Sequence, residues 1–387
     1  MLSIFKNFLS ADLHKQGGFG VLALICACPY LLAADQVLPK PQSFIVKAAE
    51  TPVMAGDEPL KTLPLGTMVL VSRSQAGWRY SAEEKGWVHV RDLIALDDAI
   101  PTFTKEIETR PTTRAYQLRG IAYMALQQWA KAAQDFEKAY DLGESAIAVH
   151  LNLGTCYQRM GELPAAIEEY DSILKAYPDD FGANLARGNL LLQQGQFAAS
   201  LRDLDKAVEL DPKSAEAWNA RGVVLRMLGR YEEAVSAYSK SLELDPQGAD
   251  ALSNRGYARK QIGDLAAALK DYEAAVQLAP TSAAIRNDLA WFLATADEES
   301  LRDGDRAVEI SEAICRETDN LDGEYLDTLA AAYARSGRFP AAVEAARLAL
   351  TVFGDNPGAN RTKERLDLYQ HQKPYTETVE EKPDAGN

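Results

Sequence analysis

Glycine recurs at Gly120, Gly154, Gly188, Gly222 and Gly256, each 34 residues after the last. A fixed period of this length demands one supersecondary unit repeated along the chain, because a single unit leaves its apolar face bare and stacked neighbours must bury it. Twelve residues after each glycine stands a small side chain, Ala132, Ala166, Ser200, Ala234 or Ala268. Four further on stands a bulky one, Phe136, Tyr170, Leu204, Tyr238 or Tyr272. Prolines close four units at Pro178, Pro212, Pro246 and Pro280, and Glu144 holds that place in the first. Each half-unit has helical periodicity, and the Gly-containing breaks "MGEL", "QGQF", "LGRY" and "IGDL" separate an A helix from a B helix.

The pattern runs on past the fifth unit. In the sixth, Ala290 replaces the glycine, and the spacing to Ala307 is five residues too long, which puts an insertion in the loop 296–305. A seventh unit carries Ala330, Tyr333, Gly337, Ala342 and Ala349. Glycine within a helix costs about 1 kcal/mol against alanine, so its recurrence implies that helices A and B approach too closely there for a larger side chain. Arg119, Arg187 and Arg255 each precede the glycine and have an aspartate sixteen residues on, Asp135, Asp203 and Asp271, a spacing that suggests an A-to-B ion pair. Arg221 meets Ala237 there instead. Its partner is expected in a neighbouring unit or in a ligand.

Trp218, Gly222, Ala234, Tyr238 and Pro246 follow the pattern of the tetratricopeptide repeat, with Arg221, Leu225 and Ser241 departing from it, and the middle of the chain closely resembles that family. The resemblance implies a mainly α fold: an α-solenoid of about seven helical hairpins over 112–356, its A helices lining a concave groove that takes extended peptides or partner helices. The groove positions are then Gln117, Ile121, Leu151, Thr155, Leu185, Asn189, Asn219, Val223, Arg226 and Tyr257, apolar near units two and three and polar beyond. Asn152 and Asn254 give no more than part of a clamp for a terminal carboxylate, so the expected ligand is a protein or extended peptide without a committed terminal carboxylate. A capping helix is expected over 357–372, and the acidic, Pro-containing stretch 373–387 reads as a disordered tail.

Residues 41–98 differ in character. "SFIVKA", "GTMVLVSR", "GWRYS" and "KGWVHVRDL" are short β-branched and aromatic runs between Gly, Pro and polar turns, which are strand signals. Met68 and Leu70 alternate with Val69 and Val71, as a strand with one buried face requires. The close "GWVHVRDL" resembles that of a bacterial SH3-like domain, which implies a small all-β barrel serving as a docking module or binding cell-wall peptides. Trp78, Tyr80 and Trp87 are either its ligand-facing aromatics or its core, for so small a domain has few other large side chains to bury.

A formal charge of −15 argues against nucleic acid, whose binding draws on Lys and Arg neutralising phosphates. Residues 1–34, with sparse positive charge, an apolar stretch and Ala33-Ala34, have the shape of a cleaved secretory signal or a retained or lipidated anchor, the one link to a membrane. Cys26 and Cys28 lie in it; Cys156 and Cys315 sit in helical patterns as small buried hydrophobes. The histidines His14, His89, His150 and His371 are scattered, and no metal, nucleotide or nucleophile motif is evident, so no cofactor and no catalysis are expected. The chain reads as an exported envelope scaffold that binds a protein or peptide. One alternative is a docking protein that holds peptidoglycan through the β domain and recruits a partner through the repeats. A remote rival is an enzyme using the 296–305 insertion with Arg302.

Overall fold

A computed structural model of the protein describes residues 36–56, 58–75, 77–143, 147–354, 356 and 358–377. The leader, with His14, Cys26 and Cys28, lies outside the described residues, as does the tail beyond Glu377. The chain divides into two compact units between Ser145 and Ala146.

The first unit opens with strands β1 (Gln36–Val46), β2 (Thr51–Ala55), β3 (Glu58–Leu63), β4 (Met68–Gln75), β5 (Trp78–Ser81), β6 (Gly86–His89) and β7 (Leu93–Ala95). They form one antiparallel sheet in the order β3-β2-β6-β5-β4-β1-β7. The sheet does not close on itself, so the expected barrel is in fact an open sheet. Its edges explain this: β3 exposes Glu58 through Thr62 and contains Pro59, which has no N–H to offer another strand, while β7 is three residues long. Val46, Val53, Leu63, Val69, Val71, Val88 and Leu93 make the core of one face. Met68 and Leu70 point away from it and are exposed.

Helix α1 (Leu96–Thr109) follows β7 directly, where the sequence reading placed no element. Pro101 lies inside it and reads as a breaker, which hid the helix. Next come α2 (Thr113–Ala125) and α3 (Trp129–Asp141), the first hairpin. Ile45 of the sheet, Phe103 of α1 and Leu118 and Ala122 of α2 share a second core. Arg114 ties α2 to the sheet by donating from Nη2 to the Lys47 carbonyl at 2.7 Å.

The second unit is helical: α4 (Ile147–Met160) and α5 (Leu163–Ala176), α6 (Phe181–Gln193) and α7 (Phe197–Leu210), α8 (Ala215–Met227) and α9 (Tyr231–Leu244), α10 (Ala249–Gln261) and α11 (Leu265–Leu278), α12 (Ala283–Thr295) and α13 (Gly304–Glu317), α14 (Gly323–Arg335) and α15 (Phe339–Phe353), then α16 (Gly358–Gln370). With α2 and α3 these are seven hairpins, and the mainly helical fold read from the period is the fold observed. Many A helices start on a side-chain cap: Asp180, Ser214 and Ser282 accept from the amide three residues on.

The recurring glycine has the steric role expected of it. A Cβ on Gly120, Gly154, Gly188, Gly222 or Gly256 would lie 2.9, 2.8, 2.8, 2.6 or 3.1 Å from the ring or branch of Phe136, Tyr170, Leu204, Tyr238 or Tyr272 on the facing B helix. Where the sixth and seventh units carry Ala290 and Ala330 instead, the position sixteen residues on, allowing for the insertion, is Ser311 or Ala346, small and buried. Backbone approach and side-chain size trade against one another.

The arginine before the glycine holds two B helices. Arg119, Arg187 and Arg255 each fork onto the aspartate sixteen residues ahead, Asp135, Asp203 and Asp271, with both distances between 2.7 and 2.9 Å. Their remaining Nη1 reaches back to the preceding helix: to Thr104 of α1 at 3.1 Å, Asp171 of α5 at 2.6 Å and Ser239 of α9 at 3.1 Å. Helix α1 thus serves the first hairpin as a preceding B helix. Hydrogen bonds to the carboxylates raise the Arg119 and Arg187 pKa values above the usual arginine range. Arg221 bonds Asp205 of α7, which removes the ligand version of its role.

Candidate functional site

In the second unit consecutive A helices lie beside one another, α6 with α8, α8 with α10, α10 with α12 and α12 with α14. Residues at one register position of each repeat therefore form a row, as side chains of parallel neighbours must. One row is Thr155, Asn189, Val223, Tyr257 and Trp291; a second is Leu151, Leu185, Asn219, Ser253, Asn287 and Asp327.

These rows differ in how much surface they offer. Asn189, Asn219, Val223, Arg226 and Tyr257 are half-buried. Arg226 stacks its guanidinium 5.2 Å from the centre of the Tyr257 ring, and Tyr231 meets Tyr257 edge-on at 6.4 Å. Burial lifts the Tyr257 hydroxyl above the usual tyrosine range. Leu185 is instead 8 % exposed and belongs to the core with Leu201, Leu204 and Val224, so it is a poor ligand contact. Leu151 packs beside Tyr170 and Ile173, and Thr155 donates its hydroxyl to the Leu151 carbonyl at 2.8 Å. In the first unit, Ile121 is spent on the sheet: its side chain fills the space a Cβ on Gly66 would need, and it packs against the core of Ile45 and Phe103. Gln117 is half-buried on the same helix. The surface still available in the second unit thus begins at Asn189 and runs toward α14.

At its far end that surface carries a dense polar group. Asp288 accepts a 2.5 Å bond from the Ser253 hydroxyl, and desolvation of the carboxyl raises its pKa above the usual range. Asp327 is clamped by Arg365 of α16, with Nε at 3.2 Å; burial raises its pKa despite that cation. Asn287, Trp291, Glu324, Asp327, Arg361 and Arg365 line a cleft of about 170 Å³.

Five residues of the stretch expected to be a disordered tail, Lys373 to Glu377, lie along this same surface. The Glu377 carboxylate accepts from Lys260 Nζ at 2.9 Å and from Trp291 Nε1 at 2.7 Å. Its amide donates to the Thr295 carbonyl at 2.8 Å. Arg335 donates from Nη2 to the Tyr375 carbonyl at 2.6 Å and to the Thr376 hydroxyl at 2.9 Å. The Tyr375 ring lies 6.0 Å from Trp291 and beneath the Arg365 guanidinium at 5.4 Å. Composition hid this, because an acidic stretch reads as solvated until the lysine and tryptophan that receive it are known.

The other expected sites resolve differently. Trp78, Tyr80 and Trp87 are half-buried and absent from the sheet's core; Val88 faces in and Trp87 out. They pair across strands, Tyr80 with Trp87 at 5.2 Å and Trp78 with His89 at 4.9 Å, and Arg73 covers Tyr80 at 3.9 Å. In the 296–305 insertion Arg302 turns inward, donating from Nε to the Ala296 carbonyl at 2.6 Å and also to the Asp297 carbonyl. Its cation holds the loop's backbone. Among the described residues no cluster of His, Cys, Asp and Glu is arranged to hold a metal ion, and no helix is long and apolar enough to cross a membrane.

A family profile described as tetratricopeptide repeat matches residues 96–181 and 185–249, and a second of the same description matches 249–282. The first match begins at α1. Sperm-associated antigen 1 of Rattus norvegicus is 31% identical over 84 residues, 22% of this chain and 9% of that protein. Tetratricopeptide repeat protein 13 of Homo sapiens is 30% identical over 87 residues, 22% of this chain and 10% of that protein. The chain thus spans about a tenth of the length of these curated relatives. Among solved structures, YrrB, described as a TPR protein with an unusual peptide-binding site, gives a TM-score of 0.42 at 25% identity, covering 47% of this chain and 95% of its own. MamA from Desulfovibrio magneticus RS-1 gives 0.42 at 19% identity, covering 44% and 96%.

Proposed function

We propose that this chain, whose residues 96–181, 185–249 and 249–282 are tetratricopeptide repeats, is a non-catalytic scaffold that holds a protein or extended peptide across the row of A helices from α6 to α14. The supporting observation is the row itself. Asn189, Val223 and Tyr257 recur at one register on adjacent helices, with Arg226 over the Tyr257 ring, and all four are half-exposed, where a purely structural face would be packed or fully solvated. We place the scaffold in the bacterial cell envelope, on the export signal read in residues 1–34.

The test is an alanine triple at Asn189, Val223 and Arg226, compared with the parent chain in affinity isolation from its native envelope. Leu151 and Leu185 are left intact, since their truncation would disturb the core. The partners should be lost with helicity intact; retention of the same partners by the triple variant would move the site off this face.

The alternative, docking to wall material, rests on the aromatic strip of Trp78, Tyr80 and Trp87 on the sheet's outer face. Purified wall material added to the chain separates the two readings, for the plain scaffold does not retain it and a Tyr80→Ala, Trp87→Ala variant of the docking protein would release it.

A further inference from the structure

The contacts of Lys373 to Glu377 have the form of a bound peptide more than of a chain end at rest. Two are main-chain bonds, the Glu377 amide to Thr295 and the Tyr375 carbonyl from Arg335, and these fix register and direction for any sequence laid there. Two are side-chain pockets. One holds an aromatic ring between Trp291 and Arg365; the other holds a carboxylate between the Lys260 ammonium and the Trp291 indole N–H. Backbone bonds supplying grip and alternate pockets supplying choice is how extended peptides are generally read. With the tail in place the Lys260 side chain is 8% exposed, so the Glu377 carboxylate is taken by a cation that water scarcely reaches.

We propose that the face formed by α10, α12 and α14 is a specific site for an extended peptide bearing an aromatic residue two positions before an acidic one, and that Tyr375-Thr376-Glu377 occupies it as a built-in competitor. The inference rests on the scaffold reading and names the ligand class of its C-terminal half. A tethered segment competes at an effective concentration that reaches the millimolar range for a short linker, so a partner must carry the same pair of side chains or contact more of the row to displace it. The tail thereby sets a threshold for partner capture.

The test uses the full chain and a fluorescent, C-terminally amidated peptide Lys-Pro-Tyr-Thr-Glu, read by anisotropy. The Tyr375→Ala, Glu377→Ala chain should bind it at least about tenfold tighter than the parent, because the competitor is gone. Adding Lys260→Glu should abolish that binding, as should replacing the peptide's Tyr and Glu by Ala. Equal binding by parent and vacated chain, or binding indifferent to Lys260→Glu, overturns the proposal. Should the vacated chain fail to fold, Glu377→Gln alone carries the test through the Trp291 indole N–H resonance. A shift supports the contact, and an unmoved resonance refutes it. Failure of the peptide to bind while the Asn189, Val223 and Arg226 triple still loses partners sinks this inference and leaves the scaffold standing; if the triple keeps its partners, the scaffold reading falls too.

Discussion

Arg221 donates from Nε to Asp205 at 2.6 Å, sixteen residues back along the chain, whereas Arg187 and Arg255 fork onto aspartates sixteen residues ahead. The register position is the same, and so is the reach. What differs is which of two flanking B helices supplies the acid. In the third repeat both do, since Arg187 also holds Asp171. The arginine is a staple between a hairpin and its predecessor, and the fourth repeat keeps only the backward half because Ala237 stands at the forward place.

The two halves should differ in strength. Asp271 is 5% exposed and takes both Arg255 and Arg259, whereas Asp205 is 49% exposed. Asp271→Ala strands two cations and should cost about 3 kcal/mol or more; Asp205→Ala should cost under about 1 kcal/mol. Hydrogen exchange of the α8 to α11 amides measures both, and comparable losses would contradict the ranking.

Gly222→Ala puts a methyl 2.6 Å from the Tyr238 ring, which is fully buried. The gain in helix propensity is about 1 kcal/mol, and overpacking costs about 1–3 kcal/mol. The net effect should be destabilising, by thermal melting. A stabilised variant would mean that the two helices can part at no cost.

Gln127 has φ of 56° in the turn between α2 and α3, where Gly161, Gly195, Gly229, Gly263 and Gly337 stand in the second to fifth and seventh repeats. A side chain in that left-handed conformation is strained by about 1 kcal/mol. Gln127→Gly should therefore protect the α2 and α3 amides, while Gly229→Gln should expose those of α8 and α9. If both substitutions are neutral, the turn is not held in this conformation.

Burial pushes the Cys156 thiol up to about 12 and Cys315 to about 11. The thiolate is the reactive form, so at pH 8 native chain should label far more slowly with a thiol reagent than unfolded chain. The stability effect has a definite sign. Both thiols are protonated in either state below the unfolded pKa near 8.5, and above it the unfolded chain ionises first, so stability falls as pH rises from about 9 toward 12. Rapid labelling of native Cys156 at pH 8 would contradict its burial.

The repeats were legible because their constraint is repeated. One glycine opposite one ring is an accident, but five at a fixed interval encode a packing distance. The backward partners were legible too, since Asp171, Asp205 and Ser239 share a register, yet they emerge only once B helices of adjacent repeats are set side by side. Helix α1 was hidden by Pro101, and the open edges of the sheet by a resemblance that implied closure. The role of Glu377 could not be read locally. It depends on Lys260, Trp291 and Thr295, which are more than eighty residues earlier in sequence and meet it through the packing of α10 beside α12.

Whether partners are held on the A-helix row is decided by position-resolved photo-crosslinking. A photoreactive residue is placed at Asn189 or Val223 on the row, and in parallel at Glu209 or Glu243 on the exposed side of the B helices α7 and α9, and the full chain is irradiated in the living cell. Partner adducts are expected from Asn189 and Val223 and none from Glu209 or Glu243. Adducts from the B-helix positions with none from the row would contradict that placement.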